Sequence, residues 1–194
     1  RRTWQESREA QMSNALQMSH EAHRLSGIGK HGEALALCDK IIANWPHAYT
    51  GHHRKAHVLD MMGEKDLPLK SAYRVIELLP EDAFPYYSRA RMLMARHRYA
   101  DAISDFNKAE PRDAKDQWFG PMIPLLRAEC HLKLGHLDAC EADCAKVPDD
   151  FVYPSFRGLM NGSKHHVLYD VRRLRNAKSG YSGSPAFRLH FAGD

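Results

Sequence analysis

The sequence has no apolar run approaching the roughly 18–20 residues that a helix needs to cross a bilayer, which excludes a helical membrane span. Cysteine is scarce. Cys38, Cys130, Cys140 and Cys144 show neither a ribbon-type zinc spacing nor the dense framework of a small secreted disulfide protein, and they point to a reducing cytoplasm. Also missing are a phosphate-binding glycine loop, a G-x-S-x-G elbow, an H-E-x-x-H helix and any other compact catalytic constellation, so no enzyme activity and no cofactor are expected. No apolar core of a signal peptide is present, although the chain opens on Arg1 rather than Met and reads as trimmed or processed.

What is present is ordinary for a protein that packs a core in water: 43% hydrophobic and 27% charged residues over 194 positions. The net charge of +4 is unevenly placed. Residues 155–194 carry seven Lys/Arg against two Asp/Glu, whereas residues 1–154 carry 21 against 22. The body therefore has no basic surplus to attract nucleic acid, and the last 40 residues favour an acidic partner.

Periodicity is the strongest signal. Pro46 and Pro80 each close an apolar segment and lie 34 residues apart. The same step carries Ala22 to Ala56 and Ala90, Leu25 to Leu59 and Leu93, Gly29 to Gly63, and Cys38 to Ala72 and Phe106. It also takes Ala34 to Pro68 and Ala102, and a four-residue insertion brings Ala128, Gly135, Cys140 and Cys144 into the same slots. A small residue in a first helix lets a second approach, glycine ends that first helix in a left-handed cap, and proline stops the second. Helices are predicted at about 3–26, 33–45, 49–62, 66–79, 83–96, 99–110, 121–134, 137–146 and 164–177.

This pattern over residues 15–148 resembles the tetratricopeptide repeat family, with Ala90, Leu93, Tyr99, Ala102, Phe106 and Ala109 as its best copy; Pro68 and an early Pro111 depart from it. The resemblance implies an all-α, right-handed solenoid of about four helical hairpins. Residues 1–148 form the array, 149–178 an irregular aromatic segment with a capping helix, and 179–194 an extended tail. Val167, Val171 and Leu174 form the apolar stripe of the cap, opposite Lys164, Arg172, Arg173 and Arg175.

The resemblance also implies that first helices line a concave groove. Its slots then hold His20 and His23, His53, His57 and Asp60, Tyr87, Arg91 and Met94, and Glu129; His23, His57, Arg91 and Glu129 share one equivalent position and should form a partly exposed row. In co-chaperones of this family, five groove slots hold a chaperone's C-terminal carboxylate. Here they hold Ser19, His23, Arg54, Phe84 and Ser88, of which Arg54 alone suits that anion.

His53, His57 and Asp60 lie one helical turn apart and offer a second use, as ligands for zinc, nickel or iron, against the plainer reading as groove side chains. Cys140 and Cys144 fall in core slots and read as small buried hydrophobes. The reading reached is a protein-interaction scaffold or adaptor whose groove binds a partner peptide or helix, as a monomer or weak homodimer. Its alternatives are a regulatory domain of a larger enzyme and a metal-responsive binder. The tail alternation Phe187-Arg188-Leu189-His190-Phe191 predicts an extended segment docked on the chain's own aromatics, Phe151, Tyr153 and Phe156, in preference to a second copy.

Overall fold

The computed structural model describes residues 2–154 and 162–178, with side chains from Met12 to Pro154 and from Gly162 to Ala177. The tail 179–194 and Phe156, and with them the tail-docking expectation, lie outside the described residues. Nine helices occur among those residues, α1 (Arg2–Gly27), α2 (His31–Asn44), α3 (Tyr49–Met61), α4 (Leu67–Leu78), α5 (Ala83–Ala95), α6 (Tyr99–Asp113), α7 (Met122–Lys133), α8 (Leu137–Ala145) and α9 (Lys164–Lys178), with one antiparallel bridge, Tyr153 to Gly162. None is long and apolar enough to cross a membrane. The chain forms two compact units, Arg1–Ile123 and Pro124–Asp194.

The repeat register is written in the core. Ala22, Ala90 and Ala128 are fully buried, and Ala56 is 1% exposed. Their small side chains suit close helix crossings. Cys38, Phe106 and Cys144 fill the larger slot four residues beyond Ala34, Ala102 and Cys140, and all six are buried. Burial pushes the Cys38 thiol up to about 11 and the Cys130 thiol to about 12, which keeps both protonated and unreactive. Pro68, an apparent violation, sits in the first turn of α4, where its missing N–H is not needed.

Within the first unit α1 packs on α2 and α3, α2 on α3, α3 on α4, α4 on α5, and α5 on α6. At Gly51 the approach of α2 to α3 is so close that an added Cβ would stand 2.9 Å from side-chain carbons of Ile41 and Ile42. In the second unit α9 packs on α8 and buries Val167 and Val171, while Leu174 stays 42% exposed. Arg175 pairs with Asp138 and Glu141 of α8 at 2.6 and 2.7 Å.

Each first helix ends in the same cap. Gly29, Gly63, His97 and Gly135 take φ of +81°, +76°, +58° and +76°. The next residue returns its N–H to a carbonyl one turn back: Lys30 to Leu25, Glu64 to Leu59, Arg98 to Leu93, His136 to His131. His97 carries a Cβ in a conformation that disfavours one, and a bond between its Nδ1 and the Tyr99 hydroxyl (2.7 Å) offsets part of the cost. His97→Gly should therefore raise stability by about 0.5–1 kcal/mol, read as a higher melting temperature. A lower melting temperature would show that the Tyr99 contact outweighs the backbone strain.

The helix α6 runs three residues beyond its predicted end, through Pro111 to Asp113. Proline costs one amide there, and the Arg112 guanidinium donates to the Lys108 carbonyl at 2.9 Å. That extra turn positions Asp113, whose carboxylate accepts the N–H groups of Phe119 (3.1 Å) and Gly120 (2.8 Å) and clasps the loop leading to α7.

Candidate functional site

The groove residues assigned from sequence to the first unit come from α1, α3 and α5. On α3, His53, Arg54, His57 and Asp60 follow one another at helical spacing and meet α1 on one side and α5 on the other. Toward α1, the Arg54 guanidinium donates to His23 Nδ1 at 2.9 Å and to Ser19 Oγ at 3.4 Å. Arginine has no acceptor, so it is the donor in this bond and His23 Nδ1 accepts. The His23 and His57 rings meet edge to face, with centroids 5.6 Å apart.

The Nδ1 of His57 is buried and has no hydrogen-bond partner among the described residues. Burial lowers the His57 pKa, Arg54 and His23 lower it further, and Asp60 opposes them. Toward α5, the His53 ring packs on Phe84 at 4.7 Å, and Tyr49 completes the cluster at 6.0 Å from Phe84. Burial, with smaller contributions from Arg54 and His57, pushes His53 down to about 4. Both imidazoles are therefore neutral near pH 7.

Asp60 is engaged by the Arg96 guanidinium at 2.7 Å, and Arg96 also donates to the carbonyls of Glu64, Lys65 and Met92. The metal reading loses its geometry at this point. His53 faces Phe84, His57 faces His23 and Asp60 faces Arg96, and no convergent set of three His, Cys, Asp or Glu occurs among the described residues.

Two of the expected groove residues are largely buried. Tyr87 is 6% exposed: Phe119, delivered by the Asp113 clasp, stacks on its ring at 4.1 Å and 20° and takes it out of the surface. Glu129 belongs to the second unit and is also 6% exposed, with Lys133 one turn on at 3.6 Å. His20, His23 and Arg91 are exposed, and His53, His57, Asp60 and Met94 are half-buried. The Arg91 guanidinium lies 6.0 Å from the Tyr87 ring centroid.

Sequence reading missed a pair of buried ion pairs at equivalent places in successive repeats. Arg89 and Asp105 form a two-pronged bridge with both contacts at 2.6 Å, and Arg127 and Asp143 repeat it at 2.7 and 2.6 Å. The shared offset of 16 residues, displaced by the same 38 that relates Ala90 to Ala128, was the available signal.

No family model matches the sequence. Solved structures similar to the chain include the nearly identical TPR-like repeats assigned to a kinesin light chain of Podospora anserina, at 14% identity and a TM-score of 0.63 over 87% of this chain and 88% of that one. The TPR2B domain of yeast Sti1, seen in its complex with pHsp70, is 17% identical with a TM-score of 0.56 over 61% of this chain and 97% of that one. The Yersinia enterocolitica type III secretion chaperone SycD, in complex with a peptide of the translocator YopD, is 16% identical with a TM-score of 0.50 over 69% of this chain and 95% of that one. The caps, the alanine crossings and these likenesses agree: the chain has the all-α fold of the tetratricopeptide repeat.

Proposed function

We propose that the chain is a protein-interaction module that receives a segment of a partner protein along the face shared by α1, α3 and α5 of its first unit. The observation that carries this reading is the cluster of Ser19, His23, Arg54 and His57. It brings several hydrogen-bonding groups together, includes the orphaned Nδ1 of His57, and adjoins the aromatic patch of Tyr49, His53 and Phe84. A peptide offers what such a face can use, namely backbone and side-chain polar groups for the cluster and an apolar side chain for the patch. The complexes of Sti1 TPR2B and SycD support the reading, because the same fold binds a protein or peptide in each.

Charge on this face is cationic. Arg54 and Arg91 contribute to it, while the carboxylate of Asp60 is held by Arg96. Arg91 is exposed and makes no ion pair among the described residues, so Arg91→Glu should leave the melting temperature unchanged. Once a partner has been captured and identified by mass spectrometry, the variant should bind it about fivefold to tenfold more weakly in calorimetry. Wild-type affinity in Arg91→Glu would move the binding site off this face.

A further inference from the structure

The repeats also show a vacancy. On the side of α3 opposite His53 and His57, a crevice of about 630 Å³ opens between α2, α3 and α4. A smaller crevice of about 160 Å³ lies against α4, α5 and α6. Seven of the nine residues that line the smaller crevice stand 34 positions after residues that line the larger, so the two are the same place in successive repeats.

Their contents differ. In the smaller crevice Arg89 reaches across to Asp105 and fills the space. The counterparts in the larger crevice are Lys55 and Ser71. The cation is kept, the carboxylate is replaced by a hydroxyl, and Lys55 turns aside to the exposed Asp39 at 2.6 Å. Lys70, on the same wall, makes no ion pair among the described residues. Ile42 and Leu59 supply apolar lining, and Leu67 and Tyr73 are 48% and 58% exposed at the rim.

The neighbouring repeats thus serve as an internal template for what the crevice accepts. We infer that this crevice is a second binding site, for a partner segment in which an acidic side chain stands beside apolar ones. The carboxylate takes the place that Asp105 fills one repeat later, between Lys55, Ser71 and Lys70, and the apolar neighbours lie against Ile42 and Leu59. The volume falls in the range of ligand sites. The wall carries Lys55, Lys70 and Arg74 against Asp39, which holds Lys55, and Glu77, which holds Arg74, so one cation is in excess and Lys55 exchanges the exposed Asp39 for the incoming carboxylate.

The test uses the full chain labelled with ¹⁵N and two capped tetrapeptides, Leu-Glu-Leu-Leu and Leu-Gln-Leu-Leu, titrated in low salt. Shift changes should map to amides within 39–77 that line the crevice, and the Gln peptide should bind about threefold to tenfold more weakly. The double variant Lys55→Arg with Ser71→Asp rebuilds the pair of the later repeats and should abolish binding by filling the crevice. Lys55→Gln leaves the space open and should instead narrow the difference between the two peptides, which keeps the inference testable if the double variant does not fold. Arg91→Glu should change neither titration, so this site and the groove stand or fall separately. Equal affinities of the two peptides for the unaltered protein, shifts confined to other surfaces, or undiminished binding to a folded double variant would each overturn the inference.

Discussion

Asp105→Ala should destabilise the protein by about 3–5 kcal/mol. Arg89 and Asp105 are 8% and 2% exposed, so truncating the acid leaves a guanidinium with little access to water. Burial alone would lower the Arg89 pKa, but the hydrogen bonds and charge of Asp105 outweigh it and raise the value. The Tyr73 ring, its centroid 4.1 Å from the guanidinium carbon, gives weaker support, and Arg89 Nη1 is already buried without a partner among the described residues.

Exchanging both members for apolar residues of similar bulk, Arg89→Met with Asp105→Leu, removes the desolvation cost together with the attraction. It should leave stability within about 1.5 kcal/mol of the parent. Urea unfolding of the two single variants and the double variant measures the coupling. Additive single effects would mean that the pair contributes no coupling energy. The equivalent change Asp143→Ala should behave alike in the second unit, where Arg127 and Asp143 are 4% and 5% exposed.

The second large effect is a loss of stability on mild acidification. The His53 pKa is about 4 in the folded state, against about 6.5 in the unfolded chain. Above pH 6.5 the imidazole is neutral in both states and its contribution is fully present. Between pH 6.5 and about 4 the unfolded chain binds the proton and the folded one does not, so stability falls with pH and then levels off. At about 1.4 kcal/mol per pH unit, and with a discount for the part of the ring that water reaches, His53 accounts for about 2–3 kcal/mol. Burial also lowers His52, His57 and His131, which adds a smaller loss of the same sign. His53→Gln removes this titration, and its unfolding free energy should fall less steeply between pH 6.5 and 4 than that of the parent. Identical slopes would place the His53 pKa near its ordinary value.

The sequence made the helices legible because the slots that control packing recur every 34 residues. Ala22, Ala56 and Ala90 identify the crossings without knowledge of any contact, and Cys140 and Cys144 are correctly placed in the core by register alone. The candidate site was less legible. A repeat slot says which side of a helix a residue occupies, but not what arrives from outside the repeat. Tyr87 is covered by Phe119, which belongs to an insertion with no counterpart in the earlier copies, and that loop is held by an Asp113 that the helix reaches only by running past a proline. Arg54 was visible as a cation, but its bond to His23 depends on how two side chains from different repeats share a space. Buried charge was hidden for another reason: Arg89 and Asp105 look like surface residues until each is seen to complete the other.

The repeated hairpin also bears on how the chain reaches its native state. Arg89 finds Asp105 across 16 residues, and Arg96 finds Asp60 across 36. Closing loops this short costs little chain entropy, so assembly should be rapid and able to begin in more than one hairpin. During synthesis each hairpin can close as soon as its second helix has emerged. The alanine crossings of one repeat would then be buried while the next is still being made, and few apolar faces would wait unprotected for a distant partner.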